Sequence, residues 1–215
     1  PDAAIGSGDG NAHGSVELSY GMGDKTDVRP SRDEARSLVR ESDLAALMKR
    51  ASTLRDAGFG TAVTYSRKVF IPLTQLCRDV CHYCTFAQPP TIGEPVYLTI
   101  DEVIDVARQG ADAGCREALF TLGDKPESRY PQAREELAAL GYSTTIAYLV
   151  AAAEAVFETT GLLPHANPGV ITRDELIALK ETCPSQGMML ESVSRRLFER
   201  GKAHFGSPDK DPDAR

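Results

Sequence analysis

From Ser31 onward the apolar positions recur at helical spacing. Leu38, Val39, Leu44, Leu47, Met48 and Leu54 return every three or four residues, as one face of an amphipathic helix does. Ser31 followed by Glu34 is a capping-box pattern that opens this segment, and Gly58 and Gly60 close it. One helix or a broken pair is predicted, running to about Asp56. The texture then changes. Residues 69–74 (VFIPLT) form a short apolar, β-branched run. It is predicted to be a buried strand, with Pro72 weakening it or marking its end. Thr99 and Glu102 form a second capping box, and Val103, Ile104, Ala107 and Ala111 then share a helical face that Gly114 ends. Residues 117–122 (EALFTL) read as a second strand, and helical patterns follow over about 130–140 and 144–160. A third strand is predicted over 162–166. A third capping box, Thr172 with Glu175, opens a helix to about Glu181. A fourth strand is predicted over 187–191 (GMMLE) and a last helix over 194–200, with Ser192 and Ser194 as N-caps.

Strands that alternate with helices imply βαβ units and a parallel sheet. The predicted fold is α/β: a partial (β/α) barrel with parallel strands, outer helices and a helical N-terminal lead-in. Three regions are expected. Residues 1–29, with six glycines and little apolar period, are expected to be disordered. Residues 30–60 form the lead-in. Residues 61–215 form the barrel, expected to be incomplete at its C-terminal end, because the polar stretch from Gly206 to Arg215 holds no fifth strand. Barrels of this kind place their chemistry at the C-terminal ends of the strands. Cys77, Asp124, His165 with Asn167, and Glu191 each follow a predicted strand.

Charge narrows the partners. The 24 basic and 31 acidic residues give a net charge of −7. That argues against a nucleic-acid or anionic-membrane surface. No apolar run is long enough to span a membrane, and no basic-then-apolar leader is present. A reducing, cytoplasmic setting is therefore expected for the five cysteines, and clustered thiols there point to metal or redox chemistry rather than disulfides.

Three of the cysteines, Cys77, Cys81 and Cys84, fall within the eight residues CRDVCHYC. A structural zinc site normally takes four protein ligands. His82 is the only nearby candidate for a fourth, and it sits between two of the cysteines. Cys115 and Cys183 lie near predicted element ends and read as buried small apolar residues. Three thiolates suit a 4Fe–4S cluster with one iron left open to a substrate or cofactor.

This C-x3-C-x2-C spacing, with Tyr83 just before the last cysteine, resembles the signature of radical S-adenosylmethionine (SAM) enzymes. The resemblance extends to VFIPLTQLCRDVCHYCTF, EALFTLGDKPE, LLPHANPGV and GMMLESVS. These stretches are similar to the radical SAM lyase half of the FO synthase family, which makes the deazaflavin chromophore 7,8-didemethyl-8-hydroxy-5-deazariboflavin (FO). The resemblance implies a radical SAM barrel, a 4Fe–4S cluster on Cys77, Cys81 and Cys84, and SAM. Tyr83 would present its backbone to the adenine. Asp124, after Gly123, would lie near the SAM ammonium, with an Asp where many relatives have the longer Glu. Glu191 would meet the ribose hydroxyls, and Asn167 would contact SAM or substrate. His165 is as consistent with a structural place as with a pocket one. The implied reaction is hydrogen abstraction by a 5′-deoxyadenosyl radical from a tyrosine-derived hydroxybenzyl adduct of ribitylamino-uracil. Ring closure with loss of ammonia follows. The implied partners are that small-molecule adduct, an electron donor, and a sister radical SAM domain or subunit that makes the adduct. A relative acting in menaquinone biosynthesis or on tyrosine, and a non-catalytic iron–sulfur module, are the alternatives.

Overall fold

Capping chemistry sets where the helices begin. Ser31, Thr99 and Thr172 each accept a hydrogen bond from the backbone N–H three residues on, while the Glu there reaches back to the cap's own N–H. Two of the four N–H groups that a helix start leaves without partners are so satisfied. The computed structural model describes residues 31–215, so the expectation of disorder over 1–29 lies outside the described residues. The chain divides into two units, Pro1–Val63 and Thr64–Arg215. In the first, the lead-in is a broken pair, α1 (Arg32–Leu38) and α2 (Leu44–Phe59), the second N-capped by Asp43.

The second unit runs β1 (Lys68–Thr74), α3 (Ile100–Asp112), β2 (Glu117–Leu122), α4 (Pro131–Ala139), α5 (Thr145–Thr160), β3 (Leu163–Asn167), α6 (Arg173–Thr182) and β4 (Ser185–Gln186). The strands form a parallel sheet in the order β1-β2-β3-β4. This is the α/β, partial-barrel arrangement. Period-two alternation puts Ile71, Leu73, Ala118, Phe120 and Ala166 on a fully buried face. Their core is shared with Val103 and Ala107 of α3 and with Leu149, Ala152 and Val156 of α5. The opposite face carries a row of aligned residues, Phe70, Leu119 and His165, and next to it Thr121 paired with Asn167. Pro72 lies inside β1 rather than at its end, with a register shift beside it. β1 has one neighbour in this sheet, so a missing N–H there breaks no central ladder.

Two predicted elements differ. Residues 187–191 are not a strand; β4 stops at Gln186 and only the Gly187 N–H continues toward β3, donating to the Ala166 carbonyl at 2.9 Å. Beyond it the backbone curls away from the sheet, and Glu191 sits in the left-handed region at φ 65°, which no strand contains. The predicted last helix is a 3-10 turn, Arg195–Phe198. Ser194 precedes it without a side-chain capping bond, and the Ser192 hydroxyl instead accepts from the Ser194 N–H at 3.0 Å. Among the described residues, no helix is long and apolar enough to cross a membrane.

Candidate active site

The C-terminal ends of β1, β2 and β3 open into one cavity of about 330 Å3. Cys77, Cys81, Tyr83 and Cys84 come to it on the loop after β1, Gly123 and Asp124 from the end of β2, and Asn167 from the end of β3. Glu191 enters from the curled segment after β4. Every site residue expected from the sequence thus lines the same space. His165 does not; its Nδ1 is 2.7 Å from the Ser185 hydroxyl, one layer deeper on the strand. Cys115 is half-buried and Cys183 buried, both away from the cavity lining.

Close backbone approach builds the cysteine end of this space. A Cβ on Gly123 would lie 2.6 Å from the Cα of Cys77, closer than packed atoms come. Only glycine lets the end of β2 touch the cysteine loop. Two hydrogen bonds then join the strands' extensions: the Arg78 N–H donates to the Asp124 carbonyl at 2.8 Å, and the Asp124 N–H donates to Cys77 Sγ at 3.2 Å. All three loop thiols are free, and burial pushes the Cys77 thiol up to about 11. A bound metal reverses that, because a coordinating thiol is deprotonated outright. Three soft donors facing one cavity, two of them already accepting a backbone N–H (Cys77 from Asp124, Cys84 from Ala87 at 3.4 Å), fit an iron–sulfur cluster with an open position.

Asp124 is only 6% exposed. Its Oδ2 accepts from the Val170 N–H at 3.2 Å and from Arg215 Nη2 at 3.1 Å, while its Oδ1 is buried with no hydrogen-bond partner. Gly169, at φ 78°, lets the loop after β3 press against this carboxylate. Burial, opposed by the Val170 bond, raises its pKa to about 6. Glu191 is held differently. Lys210 Nζ donates to its Oε1 at 2.7 Å, and that bond keeps the carboxyl below the usual range. Tyr83 is half-exposed, and its ring packs tilted on His204 at 5.7 Å between centroids.

The segment that read as a polar end of the chain is part of the site. His82 N–H donates to the Ala203 carbonyl at 2.9 Å, Val80 N–H to Ser207 Oγ at 3.1 Å, and Asp209 N–H to Asp79 Oδ1 at 3.1 Å. Residues 203–209 therefore run along the cysteine loop, and Lys210 and Arg215 reach the cavity itself. Sequence reasoning missed both cations. A run of alternating charges around two prolines has the composition of a solvated turn, and only the fold-back buries it.

A parallel α/β sheet with three cysteines of this spacing after its first strand defines a radical SAM enzyme, and the chain belongs to the radical SAM superfamily, whose signature matches residues 71–207. Within it, the chain is 54% identical over 192 residues to the FO synthase of Mycobacterium tuberculosis (strain ATCC 25618 / H37Rv), covering 82% of this chain and 22% of that protein. It is 52% identical over 187 residues to the FO synthase of Streptomyces coelicolor, with 82% and 22% covered. It is 46% identical over 153 residues to the 7,8-didemethyl-8-hydroxy-5-deazariboflavin synthase of Methanopyrus kandleri, covering 71% of this chain and 46% of that one. The chain thus spans about a fifth of the bacterial relatives' length and about half of the archaeal one's. The fold alone is shared with methylornithine synthase PylB (TM-score 0.59, 20% identity, 86% of this chain and 49% of that one). It is also shared with the hydrogenase maturase HydG from Carboxydothermus hydrogenoformans (TM-score 0.61, 18% identity, 80% and 36%).

Proposed function

We propose that this chain carries the radical SAM lyase step of FO synthesis. What supports the reading is one conjunction: 54% identity to FO synthases over 82% of the chain, in a chain whose cavity gathers Cys77, Cys81, Cys84, Asp124 and Glu191. Cys77, Cys81 and Cys84 would hold a 4Fe–4S cluster, with three thiolates where such clusters usually take four. With SAM bound, that pair supplies one-electron reductive cleavage of the sulfonium and hydrogen abstraction from the substrate.

The chain's own groups position and shield this chemistry. Asp124 Oδ1 is the free acceptor for the SAM ammonium, a charge-assisted bond. Arg215 and the Val170 N–H occupy the other oxygen and so orient the carboxyl. The short Asp side chain suffices because Gly123 brings the backbone against the cysteine loop. Glu191 accepts from the ribose hydroxyls, and Lys210 keeps it ionised. The Tyr83 backbone meets the adenine, and Asn167 contacts SAM or substrate. Residues 203–215 cover the cysteine loop and limit the water that reaches it. The substrate is the hydroxybenzyl adduct of ribitylamino-uracil; ring closure releases ammonia and makes this a carbon–nitrogen lyase. An electron donor protein or reductant supplies the electron, and a sister radical SAM domain or subunit supplies the adduct.

The test is product analysis. Anaerobic protein given SAM, reductant and the adduct is expected to yield FO and ammonia in equal amounts. Cleavage of SAM with no FO, in protein that binds the adduct, contradicts the assignment.

A further inference from the structure

Three aspartates from three distant segments meet beside the cysteine loop. Asp79 lies on that loop, Asp124 follows β2, and Asp209 lies in the 3-10 turn Pro208–Lys210. Each offers a carboxylate oxygen that lies within 4.8 Å of those of the other two. All three side chains belong to residues more than nine-tenths buried, at 3%, 6% and 6% exposure. Each also has one buried oxygen without a hydrogen-bond donor: Asp79 Oδ2, Asp124 Oδ1 and Asp209 Oδ2. That combination is costly. A buried carboxylate oxygen without a partner loses its hydration for nothing, and like charges so close oppose one another.

The neighbouring cations do not balance the set. Arg215 pairs with Asp124 at 3.1 Å, and Arg78 Nε lies 3.4 Å from Asp209 Oδ2, without hydrogen-bond geometry. Lys210 is engaged by Glu191. Two guanidinium groups therefore face three carboxylates. The thiol of Cys77, which accepts from the Asp124 N–H, adds further negative charge when it is a cluster ligand.

We infer that Asp79, Asp124 and Asp209 form a binding site for a hard divalent cation such as calcium. Carboxylate oxygens are hard donors that select such ions over thiophilic metals. Oxygens that all lie within 4.8 Å of one another are within reach of a single ion with bonds of 2.3–2.6 Å. The ion ties the cysteine loop, the end of β2 and the 203–215 segment together at one point. The ion and the SAM ammonium both draw on Asp124 Oδ1, because Oδ2 is taken by Val170 and Arg215, so the two cations are expected to compete for it.

The test is calorimetric titration of calcium chloride into the anaerobic, iron-loaded protein after EGTA treatment, with no SAM present. One calcium per chain is expected, with a dissociation constant below about 1 mM. In Asp209→Asn, which keeps the shape and leaves the cavity lining intact, affinity is expected to fall by about tenfold or more at unchanged iron content. Calcium is also expected to raise the thermal midpoint of the unaltered protein only. No calcium heat up to about 1 mM from folded, iron-loaded protein overturns the site. So does binding that both Asp209→Asn and Asp79→Asn leave untouched. A higher midpoint in Asp209→Asn, with no ion bound by the unaltered protein, also overturns it and means the carboxylates share a proton. Because no SAM enters the titration, its failure leaves the FO synthase reading standing, and the reverse also holds.

Discussion

Cys77 and Gly123 show how much of the site depends on single atoms. Cys77 can meet the end of β2 only because Gly123 has no side chain. Gly123→Ala is expected to push the loop outward, destabilise the fold by about 1–3 kcal/mol and lower iron retention after gel filtration. Unchanged iron content in that variant contradicts the close-approach argument. The cysteines themselves sort by place. Cys81→Ala is expected to abolish cluster loading, and Cys115→Ala, outside the cavity, to leave it intact. Equal iron loss from both contradicts the ligand assignment. Spacing made the three cysteines legible, because all three sit on one short loop. Lys210 and Arg215 were not legible. Their partners, Glu191 and Asp124, lie 19 and 91 residues away in sequence, and no local pattern encodes such a pairing.

Helix starts were the elements best read from sequence, because a capping box is local: four consecutive residues carry both hydrogen bonds. Thr172→Ala removes the acceptor for the Glu175 N–H and is expected to cost about 1 kcal/mol, seen as a lower urea midpoint at unchanged slope. No shift in the midpoint would mean that α6 is held by its packing on α5 alone. Strand ends were read less well. GMMLE has strand-like composition, yet the chain leaves the sheet at Gly187 and turns through a left-handed Glu191 to reach Lys210. Propensity reports what a run of residues tolerates. A tertiary ion pair and a free sheet edge decided what this one does.

At the scale of the whole molecule, alternating strands and helices gave the α/β class and the parallel order, since crossover connections leave few other solutions. The same reading left the polar stretch 206–215 without a place, although it packs along the cysteine loop and carries cavity residues. The central claim is that the three thiolates leave an iron open for SAM. It is tested most directly by electron paramagnetic resonance of the one-electron-reduced, cluster-loaded protein, recorded with and without saturating SAM. The account predicts about four irons per chain and a changed g-tensor when SAM is added. A spectrum identical in the two samples, from protein with its full complement of iron, contradicts it.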